Sequence, residues 1–389
     1  MKVLIVHNTY QTKGGEDSVV ENEHRMLQSG ENVEVCIIDN DRISGFFSKV
    51  AAALGVVFSF RQFFFWRRKL INGGYDIVHV HNYFPIISPA IFWACKSASV
   101  PVVHTLHNFR AICPTAILSV DGNVCEESVR GHSFWAVSKR VYRGSFVGTL
   151  FLVFMIEVHK FIGTWRKCVD GYIALTEFSR NKYIEAGWPE DRIYVKPNFV
   201  RSLESSSSVR SEQPFALFVG RLSEEKGIRF LVDSFRGSGI KLKVIGDGPE
   251  ADYVRANSTN GVEYLGLKSP DEVAHYMTQA TCLVMASTWY EGFPMVIVEA
   301  FRSRLPVVVP RLGNMAAVVD DDVSGLHYEP KNKADLLAKV MTLTASASLY
   351  QKLSDGAGSV FSEKYTEAAN LDMLLEIYKK CIQAENTRR

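Results

Sequence analysis

The chain has 389 residues, of which 47% are hydrophobic and 22% are charged. This length indicates two or three compact domains, and the composition excludes a disordered or fibrous protein. The formal net charge of +2 is too close to balance for a protein whose main partner is nucleic acid. Seven cysteines, odd in number and widely scattered, favour reduced thiols in a cytoplasmic protein over a disulfide framework.

The apolar segments do not resemble targeting or membrane-spanning sequences. Met1 and Lys2 lead directly into a short apolar strand, without the regions of a signal peptide. The longest apolar stretch, residues 146–156, is followed at once by charged residues and falls short of the ~20 residues needed to span a bilayer. We therefore expect neither a leader nor a transmembrane helix.

Short β-branched segments alternate with stretches long enough for helices along the whole chain. In the first half they cover residues 3–6, 33–38, 76–80, 101–106, 172–175 and 193–195. In the second half they cover residues 215–219, 242–245, 262–265, 282–285, 306–309 and 326–328. The pattern predicts an α/β protein with two doubly wound, Rossmann-like domains.

A polar, serine-rich segment at residues 201–212 is typical of an interdomain linker. We place the domain boundary near residue 205, so the domains cover residues 1–205 and 206–366. A last helix at residues 367–389 is additional to the second domain, and we expect it to pack back on the N-terminal domain.

The loop after the first strand carries Gly14 and Gly15 in place of the GxGxxG of dinucleotide-binding folds. Classical NAD binding is therefore disfavoured. Two glycines that open a helix leave backbone N–H groups for an anion, and a plain turn is the alternative.

Two loops of the second domain favour binding of a phosphorylated ligand. The segment that follows residues 215–219 places Arg221 and Lys226 at the carboxyl edge of the sheet, where doubly wound folds bind ligands. Together they could neutralise a pyrophosphate without a metal, and a solvated charged loop is the alternative. The next strand ends at Gly246 and Gly248, where the backbone can approach a ligand closely.

The most specific motif is the segment from Glu291 to Glu299, which follows the strand at 282–285. Pro294 and the apolar run after it predict a helix start, which leaves Glu291 in the loop and Glu299 inside the helix. The amides of Gly292 and Phe293 then share a space with both carboxylates. One acid can bind a sugar and the other a ribose diol, whereas an exposed helix residue is the alternative for Glu299.

These motifs, in this order, resemble the retaining GT-B glycosyltransferases of family 4 across nearly the whole chain. The resemblance implies an acceptor-side N-terminal domain and a donor-binding C-terminal domain that face each other across a cleft. It implies that Arg221 and Lys226 bind the donor diphosphate, that Glu291 meets the transferred sugar and Glu299 the ribose, and that Gly15 approaches the phosphates. His107, after the fourth strand, is the counterpart of a histidine that faces the donor sugar; a buried structural histidine is the alternative.

The resemblance also implies same-face substitution without a dedicated protein nucleophile. We expect no metal or other cofactor, because Arg221 and Lys226 can already neutralise the leaving group. Asp39 and Asp41 form a DxD triplet that could hold a metal, although a turn is favoured. Segment 107–114 resembles a subgroup that builds bacterial surface polysaccharides, in which two CxxC pairs are frequent. Cys113 and Cys125 cannot complete a tetrahedral zinc site alone.

Aromatic and basic residues alternate between residues 46 and 70, and the apolar run at 146–165 extends this feature. They predict either an interfacial helix at anionic headgroups or a groove for a polyprenyl chain; a buried helix is the alternative. We therefore predict a cytoplasmic hexosyltransferase, peripheral on the inner membrane surface, that uses a UDP- or GDP-linked sugar and a lipid-linked glycan acceptor. A soluble acceptor, a glycosidase that uses both glutamates, and a non-catalytic sugar-nucleotide-binding subunit are the alternatives.

Overall fold

The structure is a computed structural model that describes residues 1–9, 14–39, 55–201, 213–259 and 261–388. The chain forms two compact units. Unit 1 comprises Met1–Val120, Cys125–Pro197 and Asn370–Arg389, and unit 2 comprises Asp121–Val124 and Asn198–Ala369. The serine-rich linker and the boundary predicted near residue 205 lie outside the described residues.

Unit 1 contains a six-stranded parallel sheet with the strand order β2-β1-β3-β4-β7-β8. Its strands are β1 (Lys2–Asn8), β2 (Asn32–Ile38), β3 (Ile77–Asn82), β4 (Val102–Leu106), β7 (Gly171–Ala174) and β8 (Ile193–Val195). A small hairpin of β5 (Ser119–Val120) and β6 (Asn123–Val124) follows β4.

The helices of the first part of the chain alternate with these strands. They are α1 (Gly15–Gln28), α2 (Phe60–Gly73), α3 (Ala90–Ser97), α4 (Glu127–Arg130), α5 (Trp135–Ser138), α6 (Phe146–Ile162), α7 (Thr164–Cys168) and α8 (Glu177–Glu185). A 3₁₀ turn covers Glu190–Arg192. The described residues contain no helix that is both long and apolar enough to cross a membrane.

Unit 2 repeats the architecture with the strand order β11-β10-β9-β12-β13-β14. Its strands are β9 (Phe215–Val219), β10 (Lys241–Ile245), β11 (Val262–Gly266), β12 (Cys282–Val284), β13 (Val307–Pro310) and β14 (Gly325–Tyr328). Its helices are α9 (Ile228–Phe235), α10 (Ala251–Ala256), α11 (Pro270–Gln279), α12 (Met295–Arg302), α13 (Gly313–Val318), α14 (Lys333–Ala345) and α15 (Ala347–Val360). A 3₁₀ turn covers Glu224–Lys226, and a π-helical turn covers Phe361–Tyr365.

Each sheet is buried on both faces. In β9, Ala216 and Phe218 pack into one apolar cluster, whereas Phe215 and Leu217 pack into a second cluster on the opposite face. Such two-sided burial explains why these strands are continuous apolar runs in the sequence. All twelve predicted strands are present, and the predicted class of two doubly wound parallel sheets is confirmed.

The last helix, α16 (Glu367–Arg388), begins in unit 2 and places residues from Asn370 onward in unit 1. Its Tyr378 hydroxyl lies 2.7 Å from Nδ1 of His79 on β3. Asn370 accepts a hydrogen bond from Lys196, which directly follows β8. The helix therefore packs against the sheet of unit 1.

Candidate functional site

Two of the predicted donor-site residues of unit 2, Lys226 and Glu291, meet where the strand order reverses. Strands β9 and β12 are neighbours although they are not consecutive, and such a switch point is where doubly wound sheets bind ligands. Lys226 follows β9 and Glu291 follows β12. The Lys226 ammonium donates to both carboxylate oxygens of Glu291, at 2.7 and 2.8 Å. The sequence predicts separate roles for these residues, and the structure joins them in one ion pair.

Glu291 is held from several sides. Ser287 Oγ donates to its carboxylate at 2.5 Å. The side-chain amide of the buried Asn314 donates to the backbone carbonyls of Glu291 and Gly292. The Trp289 ring lies 5.9 Å from the Lys226 ammonium, and its indole nitrogen is buried without a hydrogen-bond partner in the described residues. The Glu291 carboxylate is therefore held in place beside the Lys226 ammonium, and the indole N–H of Trp289 nearby is an unpaired donor.

Gly227 explains the close approach of the two loops. It has φ +67°, and a Cβ there would lie 2.1 Å from the carbonyl oxygen of Ala286. The Thr288 amide also donates to the Glu225 carbonyl at 2.9 Å. A glycine is therefore required to bring Lys226 within reach of Glu291.

Gly246 and Gly248 fix the neighbouring loop against the loop that carries Arg221. A Cβ on Gly246 would lie 1.9 Å from the Gly220 oxygen, and one on Gly248 would lie 2.4 Å from the Leu222 oxygen. The Leu222 amide donates to the Asp247 carbonyl at 2.9 Å. These positions therefore require glycine because the two loops are in close contact. The sequence alone does not show this contact.

The remaining predicted residues of unit 2 lie in the loop after β9 and at the start of or within α12. Arg221 is exposed, Pro294 caps the start of α12, and Phe293 packs on the apolar cluster behind it. Glu299 lies half-buried inside α12, as predicted. Burial raises the pKa of Glu299, although Arg302 acts in the opposite direction.

His107 lies in unit 1, directly after β4 at the carboxyl edge of the sheet. It is 8% exposed, and its Nε2 atom lies 3.0 Å from Nδ1 of His81 at the end of β3. Burial, and then the neighbouring His81, hold the pKa of His107 well below its ordinary value. The ring is therefore neutral at physiological pH.

A buried carboxylate stands behind these two histidines. Glu23 on α1 has one oxygen 3.3 Å from Nε2 of His81 and the other 2.8 Å from the Lys196 ammonium. Burial opposes the charged carboxylate, yet Lys196, His81 and His79 hold the pKa of Glu23 well below its ordinary value. The group is an ionised carboxylate inside the unit.

Glu23, His79 and His81 each place a possible metal-ligand atom within 4.8 Å of the others. The Lys196 ammonium, however, already binds the carboxylate. Both ring nitrogens of His79 also have partners, the hydroxyls of Tyr378 and Thr105, each at 2.7 Å. One oxygen of Glu23 and Nε2 of His81, in contrast, have no hydrogen-bond partner in the described residues.

Gly15 begins α1 and is exposed, so this helix start is open at its first residue. The preceding amide, of Gly14, donates to the Asp17 carboxylate at 2.7 Å, which leaves one fewer N–H group for an anion than the sequence suggests. Of the DxD triplet, Asp39 is described, whereas residue 41 lies outside the described residues.

Exposed aromatic side chains cover part of unit 1. On α2, Phe60, Phe64 and Phe65 are 51–70% exposed, and Arg61, Arg67 and Arg68 are exposed between them. On α6, Phe161 is 91% exposed, and Nε2 of the nearby His159 lies 2.7 Å from the Val57 carbonyl just before α2. We call these residues of α2 and α6 the aromatic-basic surface. Residues 46–54 of the predicted segment lie outside the described residues.

Five of the residues described above, four in unit 1 and one in unit 2, are not found by reasoning from the sequence. The pair His79 and His81 has a signal, because residues i and i+2 of a strand share one face. Asn314, Glu23 and Lys196 have none, since each acts on a residue far away in the chain.

Two family models match adjoining parts of the chain. Glycosyltransferase Family 4 matches residues 40–202, and Glycosyl transferases group 1 matches residues 201–359. Together they cover most of unit 1 and most of unit 2.

The chain is also similar to individual proteins. It is 36% identical over 156 residues to an uncharacterized glycosyltransferase of Methanocaldococcus jannaschii, covering 39% of this chain and 44% of that protein. It is 27% identical over 189 residues to the lipopolysaccharide 1,2-N-acetylglucosaminetransferase of Salmonella typhimurium, covering 44% of this chain and 49% of that protein. The chain thus spans less than half of the length of either relative.

Among solved structures, Anabaena HepE in complex with UDP aligns with a TM-score of 0.68 at 18% identity. The alignment covers 97% of this chain and 99% of that chain. This likeness, with the two Rossmann-like sheets, supports the GT-B fold.

Proposed function

We propose that the chain is a glycosyltransferase of the GT-B, family 4 type, which its two family-model matches and its fold support. We propose further that it transfers a hexose with retention of anomeric configuration, without a metal, to a polyprenyl-linked glycan. The observation that carries the donor half of this proposal is the ion pair of Lys226 and Glu291 at the switch point of unit 2. The relative that acts in lipopolysaccharide synthesis supports a role in bacterial surface polysaccharide synthesis.

The donor is a UDP- or GDP-linked sugar that binds along the carboxyl edge of unit 2. Arg221 and Lys226 bind the diphosphate as a forked donor and a point charge. Glu299 accepts hydrogen bonds from the ribose diol, and Glu291 positions the transferred sugar. The loop contacts at Gly227, Gly246 and Gly248 hold these groups before the ligand arrives, which lowers the cost of ordering them.

In the transfer step the acceptor hydroxyl oxygen bonds to the anomeric carbon while the bond from that carbon to the diphosphate oxygen breaks. The hydroxyl proton passes to the departing diphosphate. Charge that develops on the diphosphate is stabilised by the two cations, since positive donors aimed at developing negative charge contribute strongly in such sites. No protein nucleophile is required, so Glu291 acts by position and charge.

The aromatic-basic surface supports an acceptor at an anionic membrane surface. Its exposed Phe side chains can enter the interfacial region, and its arginines complement negative headgroups. Each arginine near such a surface contributes about 1 kcal/mol. This surface supports the proposal that the enzyme works at the inner face of the cytoplasmic membrane.

The donor proposal is tested by thermal shift with UDP, GDP and their common sugar conjugates. A ligand that binds only the folded state raises Tm, so the correct nucleotide should give a selective shift. Arg221→Ala should reduce that shift, whereas Arg255→Ala, an exposed arginine paired with Asp252 on α10, should not. A selective shift without turnover of any conjugate would favour a non-catalytic sugar-nucleotide-binding subunit, and no shift across the panel would contradict the donor proposal. Release of free sugar without an acceptor would favour a glycosidase.

The membrane proposal is tested by sedimentation with phosphatidylglycerol-containing vesicles. The Phe64→Ser, Arg67→Gln double variant should lose binding at least 10-fold while its nucleotide shift stays unchanged, because apolar burial and charge both decrease. The control is Leu267→Ser, which removes a side chain 73% exposed in unit 2. Equal binding of all three proteins would contradict the membrane role and favour a soluble acceptor.

A further inference from the structure

Exposed arginines and exposed apolar side chains follow one another at the start of α6, at residues that the aromatic-basic surface does not include. Arg140 and Arg143 precede the helix and are exposed. Phe146 and Val147, the first two residues of the helix, are 51% and 56% exposed. Among the described residues no acidic side chain pairs with either arginine, and the first turn of α6 contains no acidic residue. This part of unit 1 therefore offers positive charge and apolar area together.

The Tyr142 ring holds two guanidinium groups in this region. That of Arg143 lies 5.6 Å from the ring centre, and that of Arg110, which follows β4, lies 5.7 Å from it. Tyr142 is itself fixed, because its amide donates to the Thr149 hydroxyl at 3.0 Å and its ring packs edge-on against Phe84. Nε of Arg110 is buried and has no hydrogen-bond partner among the described residues. Guanidinium groups that are held against an aromatic ring keep N–H donors for an anion.

The amino end of α6 adds backbone donors. Ser145 caps the helix, and its hydroxyl accepts a hydrogen bond from the Gly148 amide at 3.1 Å. The amides of Phe146 and Val147 have no partner inside the helix, because the first N–H groups of an α-helix have no carbonyl one turn before them. They form the positive end of the helix dipole, which favours a bound anion.

We propose that the segment from Arg140 to Val147 binds the diphosphate of an isoprenoid-linked acceptor. Arg140, Arg143 and the first amides of α6 bind the phosphate oxygens, and Phe146 and Val147 contact the beginning of the lipid chain. This inference rests on the proposed function for the identity of the acceptor. It concerns unit 1 alone.

The combination of charge and apolar area selects this class of ligand. Arginine binds phosphate oxygens through a forked set of N–H donors, and such charge-assisted hydrogen bonds are about twice as strong as neutral ones. A free phosphate would leave the apolar side chains in water, and a soluble sugar would leave the arginines without a counter-charge. A single phospholipid headgroup such as phosphatidylglycerol carries one negative charge, whereas a diphosphate carries enough charge for two arginines and a helix end.

The first experiment measures binding of farnesyl diphosphate, a short isoprenoid probe, by isothermal titration calorimetry without vesicles. All proteins in the series carry Lys226→Ala, which leaves the Glu291 carboxylate of unit 2 without its cation, so that the donor site repels diphosphates. We expect farnesyl diphosphate to bind at least about 10-fold more tightly than inorganic pyrophosphate or farnesol. Equal binding of pyrophosphate would show a site for free phosphate, equal binding of farnesol would show an apolar patch alone, and either result would overturn the proposal.

The second experiment assigns the binding to these residues. The Arg140→Gln, Arg143→Gln double variant should raise the Kd of farnesyl diphosphate by at least about 10-fold. The matched control, Arg61→Gln with Arg67→Gln, makes the same charge change on α2 and should leave this Kd unchanged. Equal losses in the two double variants would indicate unspecific attraction by positive charge and would overturn the proposal. Phe146→Ser should weaken binding of farnesyl diphosphate and leave that of pyrophosphate unchanged, and equal effects on both probes would contradict the lipid contact.

Two further readouts separate this inference from the proposals above. The double variant of Arg140 and Arg143 should still bind phosphatidylglycerol vesicles like the wild type; a loss as large as that of the Phe64→Ser, Arg67→Gln variant would overturn a site specific for diphosphate. If the protein binds farnesyl diphosphate through these arginines but turns over no sugar nucleotide, the proposed function fails and the site stands. Transfer to a lipid-linked acceptor with an unchanged KM in the double variant would overturn the site and leave the proposed function intact.

Discussion

Neutralising Glu291 should tighten nucleotide binding although it slows transfer. The Lys226 ammonium donates to both oxygens of this carboxylate, and the two side chains are 23% and 9% exposed. A diphosphate that binds Lys226 must therefore share the ammonium with Glu291. Glu291→Gln keeps the shape of the side chain and removes the competing charge, so the cation becomes more available to the ligand.

The size of the effect follows from the strength of the pair. A hydrogen bond to a charged group contributes about 1.5–3 kcal/mol to stability. If the diphosphate gains about half of this energy when Lys226 is released from Glu291, the binding free energy becomes more favourable by on the order of 1 kcal/mol. Kd then falls by about 5-fold. Turnover should fall in the same variant, because Glu291 no longer positions the sugar with a charge.

Isothermal titration calorimetry measures the Kd of the wild type and of Glu291→Gln directly, at low and at high salt. The ligand is the nucleoside diphosphate that the thermal-shift panel selects. The matched control is Glu263→Gln, whose carboxylate pairs with Lys241 at 3.0 Å on β10 and β11. Lys241 is the first residue of β10 and lies at the amino ends of the strands, away from the candidate site at their carboxyl ends. Glu263→Gln should therefore leave the Kd of the nucleotide unchanged. Equal or weaker nucleotide binding by Glu291→Gln would refute the reasoning.

Three further expectations concern loops, acid and metal. Gly246→Ala should lower the free energy of unfolding, measured by urea titration, by about 2 kcal/mol or more. The reason is that the residue has φ +142° and that its new Cβ would collide with the Gly220 oxygen. The control is Gly237→Ala, which has φ +71° but open space around the Cβ, and it should lower the free energy of unfolding by about half as much. Burial lowers the pKa of His104 from 6.5 to about 4. The contribution of the neutral ring to stability is therefore complete above pH 6.5, and about 3 kcal/mol of it is lost as the pH falls to about 4. His104→Phe should make the urea midpoint less dependent on pH in this range. EDTA should leave transferase activity unchanged, and a strict Mn²⁺ requirement would return Asp39 to consideration as a metal ligand.

The central strands could be predicted from the sequence because they are buried on both faces. Alternate residues of β9 enter different apolar clusters, and both sets must be hydrophobic. The same burial confines the polar, ligand-binding residues to the loops at strand ends, which is why Lys226, Glu291 and His107 could be selected from their position after a strand.

The partners of these residues could not be predicted in the same way. The contact of Gly246 with Gly220 depends on how two loops pack. A glycine in a loop can be required for a turn, a positive φ or a close approach, and the sequence does not tell these apart. Lys196 and Glu23 are 173 positions apart and meet only because α1 lies over the sheet near the end of β8. A single sequence contains no signal for such a pairing.

Two of the lysine–glutamate pairs in the described residues, Lys196–Glu23 and Lys226–Glu291, show why burial, and not residue type, separates their roles. Lys196 and Glu23 are almost completely buried, so neither can exchange its partner without leaving a charge unpaired inside the unit. Lys226 is about a quarter exposed, and a ligand phosphate can reach its ammonium and replace part of its contact with Glu291. The first pair is therefore suited to fix the orientation of its neighbours, and the second is suited to bind and release a substrate. The sequence shows the same two residue types in both cases, and only the fold assigns them different roles.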